Sequence, residues 1–179
     1  MRGDRSARPA GPTADRPDLP PAYGVAPAGD EREGDGLLPW SWAAERLERS
    51  RGYWIATTRP DGRPHATVVW GVWLRDRFCF ATGADTRKGR NLAANPRCVV
   101  CPERADEAVV VEGVVERVAD PALVRRFRAA YQAKYGEDVD TDALPLHAVR
   151  PVVAFAFVSD AVAYPRTATR WRFADASCP

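Results

Sequence analysis

One stretch of this chain combines the residue types that bind an anion. It covers residues 80–92 and reads Phe-Ala-Thr-Gly-Ala-Asp-Thr-Arg-Lys-Gly-Arg-Asn-Leu. Thr82 ends an expected strand, Thr86 stands at the N-cap of an expected helix, and Arg87 and Lys88 fall in its first turn. Cations are unfavourable there unless an anion lies between them, because the helix dipole makes that end positive. The spacing indicates a phosphate site. A solvated basic turn is the alternative that the residues leave open.

Composition places this stretch in one domain. The chain has 179 residues, 45% of them hydrophobic, and a formal net charge of +2. This small net charge argues against a protein that coats nucleic acid, because such a protein needs a concentrated basic face. Of the 26 basic residues only Lys88 and Lys134 are lysines. No apolar run approaches the roughly 18 residues that span a bilayer, and no apolar segment follows the N-terminal arginines, so no secretory signal is expected. A cytoplasmic protein without membrane contact is expected.

The chain divides at its N-terminal end. Residues 1–36 are rich in Pro, Gly, Arg and Asp and contain almost no branched or aromatic apolar residues. Such a segment buries too little surface to offset the entropy of ordering it. We therefore expect residues 1–36 to form a disordered tail and residues 37–179 to form the folded domain.

The pattern of the folded part predicts a mainly β structure with short helices. The expected order is α-βββ-α-ββ-α-ββ, with Ser41 capping the first helix, Asp120 and Gly136 bounding the last, and one long strand over residues 65–74. A bulge is expected at Glu112 and Gly113, and residues 161–173 are read as extended segments. Hairpins dominate, so the sheet is expected to be antiparallel, and six or seven twisted strands favour a barrel. No GxGxxG motif follows a strand, which argues against a Rossmann domain.

The sequence also allows predictions for a pair of cysteines, a pair of tryptophans and one histidine. Cys98 and Cys101 are three residues apart in an expected strand and so face opposite sides, which argues against a metal site. Trp70 and Trp73 have the same spacing, so one is expected in the core and the other beside a pocket. His65 is expected at the surface after the hairpin turn.

The order of residues 80–96 resembles the pyridoxamine 5′-phosphate oxidase-like split-barrel family. The shared features are a strand ending in Phe-x-Thr, a Thr-Arg-Lys turn, a helix, and Asn-Pro before the next strand. Further similarities lie in residues 59–64, 109–113 and 169–173. The resemblance covers about residues 40–173 and implies a six- to seven-stranded antiparallel split β-barrel that binds FMN or the deazaflavin coenzyme F-420.

The resemblance also implies a homodimer with two cofactor sites at its interface. It assigns the cofactor phosphate to Thr82, Thr86, Arg87 and Lys88. It places the backbone of Val68, Val69 and Trp70 beside the cofactor ring. It implies a cap on the site from the neighbouring subunit, for which Trp171 and Arg170 or Arg172 stand in the matching position.

The activity that the resemblance implies is hydride transfer between the ring and an unidentified small molecule. No catalytic side chain is identified. Residues 67–73 lack the cations that true pyridoxamine phosphate oxidases carry on this strand, which argues against that particular reaction. The alternative is a non-catalytic split barrel that binds a flavin or haem. A nucleic-acid-binding barrel is disfavoured, because the second strand has no basic residues interleaved with its aromatics.

Overall fold

The computed structural model describes residues 11–17 and 36–174. The helices in these ranges are α1 (Trp40–Arg49), α2 (Arg87–Ala94), α3 (Pro121–Tyr135) and α4 (Tyr164–Thr167). The strands are β1 (Thr13–Asp15), β2 (Tyr53–Thr58), β3 (Pro64–Val69), β4 (Val72–Leu74), β5 (Arg77–Ala81), β6 (Arg97–Pro102), β7 (Glu107–Arg117), β8 (Leu146–Val158) and β9 (Thr169–Arg172).

The strands form one antiparallel sheet. Its main path runs β1-β9-β8-β7-β6-β2-β3, and β5 joins β4 to β8. The long strand β8 pairs with β5 over its first half and with β9 over its second half. The mainly β, antiparallel fold is confirmed. The sheet is not closed, because no pairing joins β3 to β4 among the described strands.

Alternation along the strands separates a buried face from a partly exposed one. In β2, Tyr53, Ile55 and Thr57 point into the core, whereas Trp54 and Thr58 are exposed. The core on the inner face also receives Phe78 from β5. A second cluster lies under α3 and is centred on Phe127. A two-residue period of this kind buries one face of a sheet and leaves the other available.

The strand predicted over residues 65–74 is interrupted. β3 ends at Val69 and β4 begins at Val72, so Trp70 and Gly71 lie outside the strands. Gly71 packs so closely that a Cβ there would lie 2.4 Å from Cζ of Phe78. The prediction of different environments for the two tryptophans is confirmed, since Trp70 is half-exposed and Trp73 is buried. The continuous strand was wrong because the contact of Gly71 with β5 is not visible in the local sequence.

The helix ends agree with the sequence at α3 and disagree at α1. The Asp120 carboxylate accepts a hydrogen bond from the amide of Ala122 at 2.9 Å, and Gly136 ends the helix with φ 79°. Both caps were expected, as was the register shift at Glu112 and Gly113. Ser41 is not the N-cap of α1, because the helix begins two residues earlier than that cap would require and Pro39 occupies the cap position.

Two segments near the chain ends are more ordered than expected. Residues 161–173, read as extended, contain the helical turn α4 before β9. Within the predicted tail, β1 pairs with the edge strand β9. Main-chain pairing and an ion pair between Asp15 and Arg170 hold this strand, so it needs no apolar residues. The remainder of the tail, residues 1–10 and 18–35, lies outside the described residues.

Candidate functional site

The turn between β5 and α2 brings two hydroxyl groups together. Thr82 follows β5 and is buried, and its Oγ1 lies 3.1 Å from Oγ1 of Thr86. Thr86 caps α2 as predicted, because its Oγ1 accepts a hydrogen bond from the amide of Gly89 at 3.0 Å. The Thr86 hydroxyl also donates to the carbonyl of Gly83 at 2.9 Å. The two threonines are therefore fixed at the start of the helix.

Gly89 allows this turn to be compact. A Cβ at this position would lie 2.3 Å from the carbonyl oxygen of Gly83 and 3.0 Å from Oγ1 of Thr86. The first turn of α2 thus packs directly against the backbone of the preceding loop. Among the described residues, the amide groups of Arg87 and Lys88 find no hydrogen-bond acceptor, as is usual for the first turn of a helix.

The two cations of the turn differ in exposure. The side chain of Arg87 is exposed and faces the β2–β3 hairpin, where it helps the Arg63 hydrogen bond to lower the pKa of Asp61. Lys88 is half-buried, and this burial lowers its pKa. Neither cation forms an ion pair within residues 11–17 and 36–174. An ammonium group partly removed from water, with no carboxylate partner, suits an anionic ligand.

The proposed ring-binding segment lies at the same end of the β4–β5 hairpin as this turn. Val72 pairs with Cys79, so the chain enters β4 and leaves β5 at the open end of the hairpin. Val68 and Trp70 are half-exposed, whereas Val69 points into the core. The turn before α2 and the segment over residues 68–70 are therefore both connected to the open end of this hairpin.

Helix α3 contributes two residues to this region that the sequence did not single out for function. The ring of Tyr135 stacks on Trp70 with centroids 5.1 Å apart and planes within 7°. Lys134 donates a hydrogen bond to the carbonyl of Gly71 at 3.2 Å. Lys134 was noted only as one of the two lysines of the chain. No local signal connects residues 134 and 135 with residue 71.

The cap predicted from Trp171 requires a correction. Trp171 is fully buried in the core of its own chain, where its ring meets that of Trp40 edge to face at 5.3 Å. Its side chain is therefore not available to a neighbouring subunit. Arg170 forms a bidentate ion pair with Asp15 at 2.7 and 2.8 Å. The hydrogen bond from Arg170 is the largest cause of the lowered pKa of Asp15.

The remaining sequence expectations concern metals, membranes and His65. In the described part of the chain, no group of three His, Cys, Asp or Glu side chains is arranged to hold a metal ion. Cys98 is buried and Cys101 half-buried, and both are free thiols. None of the helices in the same part is long and apolar enough to cross a membrane. His65 is half-buried rather than at the surface, with Nδ1 buried and unpaired among the described atoms.

The open antiparallel sheet with a Thr-Arg-Lys turn after β5 defines a split-barrel protein. The family model for pyridoxamine 5′-phosphate oxidase matches residues 42–164, and the chain belongs to this family. A pyridoxine/pyridoxamine 5′-phosphate oxidase of Cupriavidus necator is 38% identical over 78 residues, which cover 42% of this chain and 37% of the relative. That of Bacteroides thetaiotaomicron is 31% identical over 111 residues, or 60% of this chain and 52% of the relative. The matches thus span about two fifths to half of these relatives.

Solved structures support the same fold. An F420 reductase superimposes with a TM-score of 0.51 and 27% identity, covering 62% of this chain and 93% of that one. A conserved hypothetical protein of Mycobacterium tuberculosis superimposes with a TM-score of 0.56 and 23% identity, covering 83% of this chain and 94% of that one. A haem-binding protein of Mycobacterium smegmatis superimposes with a TM-score of 0.55 and 22% identity, covering 66% of this chain and 54% of that one. At these lower identities the last two similarities concern the fold alone.

Proposed function

We propose that this chain is an oxidoreductase that binds FMN or coenzyme F-420 and transfers a hydride between the bound ring and a small molecule. The observation that carries the proposal is the start of α2. There the hydroxyls of Thr82 and Thr86 lie 3.1 Å apart, beside a half-buried Lys88 that has no carboxylate partner among the described residues. Membership of the pyridoxamine 5′-phosphate oxidase family and the similarity to an F420 reductase support it.

The residues of the turn fit a phosphate group. Thr82 and Thr86 supply hydroxyl groups, Arg87 supplies a guanidinium, and Lys88 supplies an ammonium group beside free helix amides. Hydrogen bonds to a charged group contribute about 1.5–3 kcal/mol each. Burial lowers the pKa of Lys88, and a bound phosphate raises it again because the dianion favours the charged ammonium.

The segment over residues 68–70 has the form of a ring platform. Its exposed side chains, Val68 and Trp70, offer apolar surface, while the Trp70 indole is held by the stack with Tyr135. When bound, a flavin or deazaflavin ring supplies the hydride chemistry itself. The chain's part is to hold the ring against this platform and to exclude water from one side of it. No side chain of the described region is assigned as the acid or base.

Oxidation of pyridoxamine phosphate itself is not part of the proposal. The chain has no cation over residues 67–73, where the resembling oxidases carry two basic groups. Its match also covers only 37% of the Cupriavidus necator enzyme. We propose instead an unsaturated or carbonyl-bearing small molecule as the partner of the ring.

We further propose that the protein is a homodimer. Trp54 and Val68 are half-exposed and stand directly opposite each other on neighbouring strands of the outer face. Trp70 is exposed to the same extent. Large apolar side chains that cluster on one face are typical of a protein–protein interface. A second copy on this face would also enclose the ring platform.

Cofactor titration tests the proposed function. Purified protein is titrated with FMN and with F-420, following fluorescence and absorbance. Wild-type protein is expected to bind one of them, and Lys88→Met to weaken that binding by on the order of tenfold or more, because one charge-assisted contact is lost. Arg125→Met, which removes an exposed cation from α3, serves as the matched control and keeps wild-type affinity. Equal binding by Lys88→Met and wild type would reject the phosphate site.

The same preparation separates an enzyme from a binding protein. In the proposed oxidoreductase, the reduced cofactor is reoxidised anaerobically by some member of a panel of unsaturated and carbonyl compounds. If the protein is instead a non-catalytic flavin-binding barrel, the cofactor stays reduced with every acceptor. If it is a haem-binding barrel, haem binds instead of the flavin or deazaflavin and gives a Soret band. Either of these last results would refute the catalytic proposal and leave the binding fold intact.

A further inference from the structure

The peptide at Gly71 is held from behind by the last turn of α3. Its N–H donates a hydrogen bond to the hydroxyl of Tyr135 at 3.0 Å. Its carbonyl oxygen accepts a hydrogen bond from Nζ of Lys134 at 3.2 Å and lies 2.8 Å from the Tyr135 hydroxyl, whose one proton it shares with the carbonyl oxygen of Arg51 at 2.9 Å. The gap between β3 and β4 is thus fixed by tertiary contacts instead of by sheet pairing. The position next to the proposed ring platform has a defined geometry.

Lys134 brings a positive charge to this point. Its Nζ also donates to the hydroxyl of Tyr53 at 2.7 Å and lies 4.8 Å from the centre of the Tyr53 ring. The single hydroxyl proton of Tyr53 is directed at two backbone carbonyl oxygens, those of Leu47 at 2.5 Å and of Ser50 at 2.9 Å. The phenol oxygen is therefore oriented as an acceptor for Lys134. The ammonium is held by neutral groups and aromatic faces.

The charges around Lys134 do not neutralise it. Glu103, at the end of β6, accepts hydrogen bonds from the amides of Arg51 and Gly52 at 3.1 and 3.0 Å, and it forms no ion pair with Lys134. Arg51 donates to the backbone carbonyl of Lys134 at 2.8 Å and adds a second positive charge. Glu48 of α1 is the other carboxylate that acts on Lys134, and Tyr135 is the remaining titratable neighbour.

Burial makes the charge of Lys134 sensitive to its surroundings. Desolvation is the largest cause that lowers its pKa, to about 8, and Arg51 acts in the same direction. Glu103 and Glu48 oppose this shift without cancelling it. An additional negative charge near Gly71 would favour the ammonium form, and the ammonium form would favour that negative charge to the same extent.

We propose that Lys134 is a positioning residue whose ammonium group, held on the Gly71 carbonyl, favours the reduced and anionic state of a ring bound along residues 68–70. The inference rests on the proposed function, because it concerns the same cofactor. Phosphate binding is assigned to the turn before α2, and the electrostatic bias on the ring is assigned to α3. Charge close to a flavin-type ring is one of the means by which a protein sets the ring's redox balance.

The presence of only two lysines in the chain, Lys88 and Lys134, makes a direct test possible. Protein labelled with ¹⁵N-lysine gives two Nζ signals, which Lys88→Met and Lys134→Met assign. The pKa of each ammonium group is then followed with no ligand, with inorganic phosphate, with oxidised FMN or F-420, and with the same cofactor kept reduced. The readout is the charge of the two side chains, independent of turnover.

The expected result separates the two proposals. Phosphate and oxidised cofactor raise the pKa of Lys88, whereas reduction of the bound cofactor raises the pKa of Lys134 by roughly one unit. By linkage, wild type prefers reduced over oxidised cofactor about tenfold more strongly than Lys134→Met does. If the pKa of Lys88 rises on cofactor binding but the pKa of Lys134 is the same with oxidised and reduced cofactor, the inference is overturned and the proposed function stands. If neither FMN nor F-420 changes the pKa of Lys88, the proposed function and the inference about Lys134 are both rejected.

Two variants separate charge from geometry. Lys134→Arg keeps the positive charge and is expected to retain the preference for the reduced cofactor. Tyr135→Phe keeps the stack on Trp70 but removes the hydrogen bonds to Gly71, and it is also expected to retain most of the preference. Loss of the preference in Tyr135→Phe with Lys134 still protonated would assign the effect to backbone geometry and refute the role of the charge. Thermal unfolding confirms that each variant is folded.

Discussion

The two lysines illustrate how the same residue type can stand in two different environments, each with its own proposed role. Both are half-buried, and desolvation lowers the pKa of each. Lys88 lies beside hydroxyl groups and the free amides of a helix start, an environment that suits a phosphate. Lys134 lies among phenol rings and one backbone carbonyl, an environment that holds a charge without neutralising it. The difference comes from the neighbours that the fold provides.

The lowered pKa of Lys134 predicts how stability depends on pH. Its folded pKa of about 8 lies below the ordinary lysine pKa of 10.5, so between these values the unfolded chain binds more protons than the folded one. The free energy of unfolding is therefore expected to rise from pH 8 towards pH 10. Urea denaturation at several pH values measures this rise.

A control variant and the behaviour above pH 10 complete that experiment. The rise should be smaller in Lys134→Met, and the part that remains reports Lys88. Above about pH 10 stability should fall again, because burial raises the pKa of Tyr53 and unfolded tyrosines lose their protons first. An unchanged slope in Lys134→Met would contradict the assignment of the rise to Lys134.

At the scale of elements, the β4–β5 hairpin and α2 together organise the site. Trp70 shortly precedes β4 and Thr82 directly follows β5, so both are connected to the open end of the hairpin. Helix α2 then starts against the loop because Gly89 has no side chain. The outer strand β9 is covered separately by β1, with Asp15 joining Arg170.

Gly89→Ala tests the packing of α2 on the phosphate turn. Alanine favours helices, yet its Cβ would meet the Gly83 carbonyl at 2.3 Å, so the helix start must move. We expect a loss of about 1–3 kcal/mol in stability, the usual cost of overpacking, together with weaker cofactor binding. Ala93→Gly on the exposed side of the helix costs about 1 kcal/mol by propensity and should leave binding intact. Chemical denaturation and cofactor titration compare the two.

The strand β1 gives a second prediction at this scale. Asp15→Asn removes the charge that pairs with Arg170, and amide hydrogen exchange in β9 is expected to become faster. The effect on global stability should be small, because the ion pair is partly exposed. Since the Arg170 hydrogen bond lowers the pKa of Asp15, its stabilising effect is present above the carboxyl's ordinary pKa and is lost as the pH falls. Unchanged exchange in β9 would show that the backbone pairing alone holds the strand.

At the scale of the whole molecule, the outer face of the sheet carries large apolar side chains that the described residues leave half-exposed. Trp54, Val68 and Trp70 are half-exposed there, although residues of their size are usually buried. A single copy that leaves this face to water would lose the hydrophobic stabilisation that burying it supplies. Dimer formation is the proposed solution, and it would place the ring platform at a subunit interface.

Val68→Lys tests the dimer. A buried charge at the interface should convert the dimer into a folded monomer, while the side chain's exposure in a single copy leaves the fold itself unaffected. Light scattering after size exclusion gives the mass, and circular dichroism checks the fold. Val162→Lys changes a more exposed valine on a loop and should remain dimeric. A monomeric wild type would reject the proposal.

Local sequence determined most of the elements and the capped turn before α2. The caps at Thr86, Asp120 and Gly136 and the bulge at Gly113 were all predicted, because each depends on residues within a few positions of one another. The mainly β, antiparallel class followed from strand patterns and short connections. The family was indicated by the contiguous run over residues 80–96.

Tertiary structure alone decided the contacts between distant residues. The break at Gly71, the burial of Trp171 and the approach of Lys134 to Gly71 all depend on packing between segments far apart in the chain. β1 likewise formed in a segment whose composition predicted disorder, because its partner lies about 150 residues away. Hydrogen bonds and packing contacts of this kind leave no periodicity or spacing in the sequence, so they become visible only once the fold brings the segments together.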